Sequence, residues 1–216
     1  MSGKRTRNKA QDCFTDTCVY IHYGIYFNDY HAEATSYFNA LHRKHTSESV
    51  LIEINHFKDF TRRFQFQLED ALNRGRRKDV IKFPGSIFRG YSESRWALIE
   101  RIIAIIKNCN AEQMASEYRA FKRLVWARID EALSKTKNPL EKQSNDQNFI
   151  DSLSYIGDPK DQQIIADAAL WASQYSYAIF CTTDRNHVLI NEPKLVHDVS
   201  VYLHKNCLVF KHVQDM

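Results

Sequence analysis

The stretch from Asp158 to His187 restricts the fold more than any other part of the chain. Asp158 can cap a helix, and Pro159 suits the first helical position, where a missing N–H is no loss. Ile164, Ile165, Ala168, Leu170 and Trp171 then recur at helical spacing. Asp161 falls in the first turn, near the face that carries Ile165 and Ala168. The short apolar and β-branched run from Tyr177 to Thr182 reads as a buried strand, with Asp184 just past its end. A capped helix, a buried strand and an acid at the strand's exit are the parts of a βα sheet. In such sheets, sites form outside the carboxyl ends of parallel strands.

The other segments extend this pattern. A strand beginning near Cys13 ends near Asp16, so a second aspartate leaves a strand; the alternative is an Asp that only caps the next segment. Helices are expected at about 31–43 and 48–73, the second with Val50, Ile54, Phe57, Phe64, Leu68 and Leu72 as its stripe and Gly75 as its C-cap. Glu53 lies one turn from both Val50 and Phe57, which turns a carboxylate toward the apolar face. Residues 92–107 and 111–135 read as two amphipathic helices paired as an antiparallel hairpin. A polar loop around Asn138-Pro139 and a short helix at 148–156 lead into Asp158. Asn191-Glu192-Pro193 opens a helix to about Lys205, and Cys207 to His212 reads as the last strand. The order predicts an α/β fold with a short, mainly parallel sheet flanked by helices. We expect a basic tail at 1–10 and one domain over 11–216, interrupted by a helical insertion at about 88–140.

Composition narrows the function classes. No run of eighteen apolar residues occurs and the first twelve residues are polar, so neither a membrane span nor a secretory signal is expected. Five cysteines without a C-x-x-C pair suit reduced thiols in a cytoplasmic protein. The net charge of +4 permits a phosphate-rich partner without demanding one. Arg74, Arg76, Arg77 and Lys78 form a basic knot that is either a solvated turn or a phosphate contact. The basic tail has the same two readings.

Asp16, Glu53, Asp161 and Asp184 are the candidates for one site. Crowded carboxylates repel, and unless a cation neutralises them at least one must hold its proton. Hard oxygen ligands suit Mg²⁺ or Mn²⁺, which activate water and offset charge in phosphoryl displacement. Asp16-Thr17-Cys18-Val19 resembles the Asp-Thr-Asn-Val opening of the PIN domain nucleases. Asp161-x-x-Ile164-Ile165-Ala166-x-Ala168 is similar to that family's third motif, and Thr183-Asp184-x-x-His187 to its fourth. Glu53 within Val50-Leu51-Ile52-Glu53-Ile54 matches the helical glutamate of the second motif loosely. The resemblance spans roughly residues 11–75 and 148–212. Cys18 stands where the family carries Asn, the usual hydrogen-bond donor to the acid cluster.

The resemblance implies a Rossmann-like sheet, a site for Mg²⁺ or Mn²⁺ made by Asp16, Glu53, Asp161 and Asp184, and hydrolysis of RNA phosphodiesters. Expected partners are an RNA substrate, an antitoxin or other protein partner, and a second copy in a homodimer. Two alternatives stay open: an inactive PIN-like module that binds RNA or protein, and a structure-specific DNA nuclease. No G-x-G-x-x-G follows a strand and no G-x-x-x-x-G-K occurs, which speaks against dinucleotide and P-loop chemistry. His42 and His45 lack a matching third ligand and read as surface residues. Asp167 and Asn186 flank the proposed site; Asp167 reads equally well as an exposed helix residue.

Overall fold

Four short strands pair side by side in the order β2-β1-β3-β4 in a computed structural model that describes residues 10–137 and 140–216. They are β1 (Asp12–Thr15), β2 (Arg43–His45), β3 (Ala178–Thr182) and β4 (Leu208–His212), and every pairing is parallel. The fold is α/β and Rossmann-like, with helices flanking the sheet. Residues 1–9 of the expected basic tail and Asn138 and Pro139 of the expected polar loop lie outside the described residues. Among the described residues no helix is long and apolar enough to cross a membrane.

One rung of the sheet fixes its register. His45, Phe14, Phe180 and Phe210 are successive partners across all four strands. Phe14 stacks on Phe180 at 5.9 Å between ring centroids, and Phe180 meets Phe210 at 5.2 Å. Trp171 covers the rung from helix α9 (Pro159–Ala172), 5.6 Å from Phe14 and 4.9 Å from His45. Each such aromatic, fully buried, stabilises the fold by about 1.5–3 kcal/mol, and a one-residue slip would turn the whole row to the opposite face. On that opposite face Thr15 shares a 2.7 Å hydrogen bond with Tyr37 of α2 (His31–Asn39). Helix α1 (Thr17–Gly24) leaves β1 directly.

The strand order creates one switch point. From β1 the chain steps outward to β2, then returns to the far side of β1 as β3 and continues to β4. Connections therefore diverge at the carboxyl ends of β1 and β3, where a crevice opens in sheets of this kind.

Two expectations need correction here. His42 and His45 are not helical surface residues: His42 precedes β2, and His45, 1% exposed, lies on it. The His45 ring is gripped by Asp12 at 3.3 Å and Glu141 at 3.0 Å. Asp167 is not exposed either. It is fully buried in α9, where Oδ1 accepts hydrogen bonds from the Ser144 backbone N–H and the Gln163 amide, both at 2.8 Å. That carboxylate pins the approach to α8 (Gln147–Ser152) against α9.

The chain divides into two compact units, Asn55–Ala127 and the remainder. The first boundary falls within α3 (Glu48–Asn73), not at about residue 88. The reason is aromatic packing: Phe64 of α3 meets Phe88 at 4.6 Å and Tyr118 at 4.8 Å. Within this unit α3 ends on Gly75 (φ +73°), whose N–H bonds the Leu72 carbonyl while Arg76 N–H bonds that of Ala71. This reciprocal closure requires a left-handed residue, which glycine supplies without a Cβ penalty. Helices α4 (Arg77–Lys82) and α5 (Pro84–Ile87) follow, then α6 (Glu93–Ile106) and α7 (Ala111–Ser134), joined by residues 107–110. Asn110 and Gln113 exchange side chain–backbone hydrogen bonds at 2.9 and 3.0 Å, a capping box that starts α7.

Candidate active site

Asp16 leaves β1 and Asp184 follows β3, so both aspartates stand at the switch point. The Asp16 backbone N–H bonds the Cys181 carbonyl at 3.0 Å, extending the β1–β3 ladder by one residue and fixing the acid beside the end of β3. Its Oδ2 accepts hydrogen bonds from the Thr182 hydroxyl at 2.7 Å and the Cys18 thiol at 2.9 Å. Thr182 Oγ1 in turn accepts from the Asp184 backbone N–H at 3.0 Å. One buried hydroxyl thus ties the first acid to the backbone of the second.

Cys18 fills the role expected of an asparagine. Burial, reinforced by the Asp16 charge, pushes its thiol far above the ordinary range. It therefore keeps its proton and acts as a donor, while Sγ accepts the Thr183 N–H at 3.1 Å. A cysteine here preserves the hydrogen bond to the acid.

Asp161 projects from the first turn of α9, which Asp158 caps by accepting the Lys160 N–H at 2.9 Å. Burial pushes Asp161 up to about 8, aided by the charges of Asp16, Asp158, Glu53 and Asp184. Asp16 is raised to about 6, again chiefly by burial, with Glu53 adding to the rise and the Cys18 and Thr182 hydrogen bonds opposing it. All four acids predicted from the sequence therefore share one electrostatic field. Glu53 is a peripheral member: Lys160 Nζ approaches its Oε1 to 3.9 Å, an open pair of low strength.

The tightest convergence includes a residue not predicted as a ligand. One donor atom each from Asp161, Asp184 and His187 lies within 4.8 Å of the other two, while Asp16 and Glu53 fall outside that set. Asp184 Oδ1 accepts the N–H groups of Asn186 and His187, both at 2.9 Å, and its Oδ2 faces His187 Nδ1 at 3.0 Å. The Asp-x-x-His spacing was the available signal, because a turn wrapped on an Asp carboxylate returns the third residue's side chain to it.

Two carboxylates and an imidazole, with two further acids nearby, are the residues here that could hold a divalent cation. The imidazole shifts preference from Mg²⁺ toward first-row ions such as Mn²⁺. His187→Ala is expected to weaken Mn²⁺ binding by tenfold or more while changing Mg²⁺ binding by much less; titration calorimetry with each ion measures both. Equal losses for the two ions would remove His187 from the ligand set.

The basic knot has other work. Arg77 donates to the carbonyls of Cys109 and Lys107, both at 2.9 Å, closing the end of α6. Arg74 pairs with Asp70 at 3.0 Å and Arg76 with Asp79 at 2.9 Å. Three of the four cations are thus engaged inside their own unit.

Comparison with family models, with curated proteins and with solved structures gives no match.

Proposed function

We propose that this chain is a Mg²⁺- or Mn²⁺-dependent endoribonuclease of the PIN type, acting at Asp16, Glu53, Asp161 and Asp184 with His187 beside them. The observation that carries the reading is the convergence of donor atoms from Asp161, Asp184 and His187 within 4.8 Å of one another, at a point where burial and the charges of Asp16, Asp158, Glu53 and Asp184 push Asp161 upward. A structural acid on a helix start is ordinarily solvated or paired with a base. This one faces mainly other acids, a condition that a bound cation relieves.

Asp161, Asp184 and His187 would hold the cation, with Asp16 and Glu53 adding negative charge around it. A bound divalent ion supplies an activated water and offsets the charge that develops on the phosphodiester oxygens. Cys18 and Thr182 keep the Asp16 oxygen oriented, so that acid need not reorganise as charge develops. The wrapped 184–187 turn does the same for Asp184. The five free cysteines suit a reducing compartment, and a cytoplasmic enzyme follows from the reading.

The test is cleavage of labelled single-stranded RNA, duplex RNA and flap DNA with Mg²⁺, with Mn²⁺ and with chelator. The reading expects single-stranded RNA to be cut and chelator to abolish cutting. Cleavage that persists in chelator would remove the metal mechanism. Preference for flap DNA would make it a DNA nuclease, and absence of both cleavage and Mn²⁺ binding would leave a binding module.

A further inference from the structure

The net charge of +4 conceals a strong segregation. Residues 55–127 carry fifteen Lys and Arg against eight Asp and Glu, a net charge of +7, while the rest of the chain carries fifteen against eighteen. Within that helical unit, three cations converge on one tryptophan ring, and two more share the face of the helix that carries it. On α3, Lys58, Arg62 and Phe66 follow one another at four-residue intervals, so they share a face. On α7, Arg119, Lys122, Arg123 and Trp126 likewise share a face.

Trp126 organises the seam. Arg62 lies over its ring with Cζ 4.7 Å from the centroid, Lys122 Nζ at 4.8 Å and Lys58 Nζ at 5.9 Å. The indole N–H donates to Thr61 at 3.0 Å, which fixes the ring plane. Cation–π attraction lets these three like charges stand close together. Asp59 pairs with Arg62, and Glu69 lies 3.7 Å from Arg119. Burial first, then the charge of Arg62, holds the Lys122 ammonium below the ordinary range, with Glu69 opposing and Arg123 adding to the fall. Phe66, one turn beyond Arg62, is 74% exposed.

We propose that this seam binds single-stranded RNA, the cations of Lys58, Arg62, Arg119, Lys122 and Arg123 holding phosphates while Phe66 stacks on a base. The choice among polyanions follows from the aromatic. A duplex hides its base faces, whereas a single strand presents them, and an aromatic beside a line of cations is the usual way to hold one. An acidic protein would satisfy the cations but give the exposed phenyl ring no stacking partner. Only the choice of RNA over DNA rests on the nuclease reading; the seam itself stands without it.

The test is fluorescence anisotropy with a labelled twelve-nucleotide single-stranded RNA, run in chelator over a series of salt concentrations. The proteins are the wild type, Arg62→Gln/Lys122→Gln and Phe66→Ala. The double variant should bind at least tenfold more weakly, with the slope of log affinity on log salt flattened by about 1.4 units, roughly 0.7 for each phosphate no longer neutralised. Phe66→Ala should weaken binding several-fold without changing the slope, as removal of an uncharged stacking group requires. Its side chain is exposed, so it reports on binding even if the double variant fails to fold. Asp161→Asn enters the parallel cleavage assay, where it bears on the nuclease reading alone.

Unchanged affinity and slope in both seam variants would overturn the proposal. So would equal competition by duplex RNA or polyglutamate, which would make the seam a general acidic docking site. Tighter binding of DNA of the same sequence would keep the seam and change its ligand. Because binding is read in chelator, a failure here leaves the nuclease reading intact. Conversely, RNA cleavage that survives Asp161→Asn would remove that reading without touching the seam.

Discussion

Asp161→Asn is expected to lower single-stranded RNA turnover by well over the 10–100-fold that loss of a residue merely orienting a metal ligand costs. The substitution keeps the side chain's size and removes the one acid that gains most from a bound cation, since burial and four neighbouring carboxylates raise it to about 8. An amide has no proton to lose and no charge to offer, so the attraction for a divalent ion falls. The fold should persist, because the helix start is held independently by the Asp158 cap and by Pro159 in the first turn. Asp16→Asn should act in the same direction and also disturb the thiol of Cys18 and the hydroxyl of Thr182, which donate to Asp16. Single-turnover cleavage at saturating Mn²⁺, beside a circular dichroism melt, separates lost chemistry from lost structure. Undiminished turnover in Asp161→Asn would remove the acid from the mechanism.

The elements that carry these acids are legible in the sequence, and the reasons are local. The start of α9 carries a capping Asp followed by Pro, β3 is an uninterrupted apolar run, and the acids at strand exits follow from those two. β2 was not legible. Arg43, Lys44 and His45 are three polar or basic residues without apolar alternation, and they become a strand only because β1 supplies the ladder. Burial of Lys44 and His45 is tolerated because Lys44 Nζ donates to the Ala40 and His42 carbonyls and His45 meets two carboxylates. Long-range pairing of that kind leaves no trace in a window of neighbours. The Asp-x-x-His spacing signals the turn that folds His187 back onto Asp184, but the spacing alone does not tell a ligand from a residue that only closes the turn. The charge segregation is present in the residue count but cancels in the net charge of the whole chain.

In metal-free buffer the contribution of Asp161 and Asp16 to the stability of the wild type should fall as pH rises from about 4 to about 8. An unfolded chain releases the Asp161 and Asp16 protons near their ordinary carboxylate values, whereas the folded chain keeps them until about 8 and about 6. Over that window the native state binds more protons at these two acids than the unfolded state, so their part of the derivative of unfolding free energy with pH is negative. That contribution is complete below the unfolded value, drains away through the folded ones and levels off above pH 8. Asp161→Asn carries no such proton and should be the more stable protein at pH 8 by at least about 1 kcal/mol, the worth of a single pKa unit. For a chain of this size that is a rise in Tm of about 2–4 °C. The two proteins should converge near pH 4, and using their difference cancels the titration of groups remote from Asp161. Mn²⁺ should reverse the order at pH 8, since the wild type binds it more tightly and gains stability by mass action. Melts of both proteins from pH 4.5 to 8.5, with chelator and with Mn²⁺, read all of this directly. A wild type whose stability climbs with pH in chelator while Asp161→Asn stays below it would show that the acids at the switch point do not strain one another.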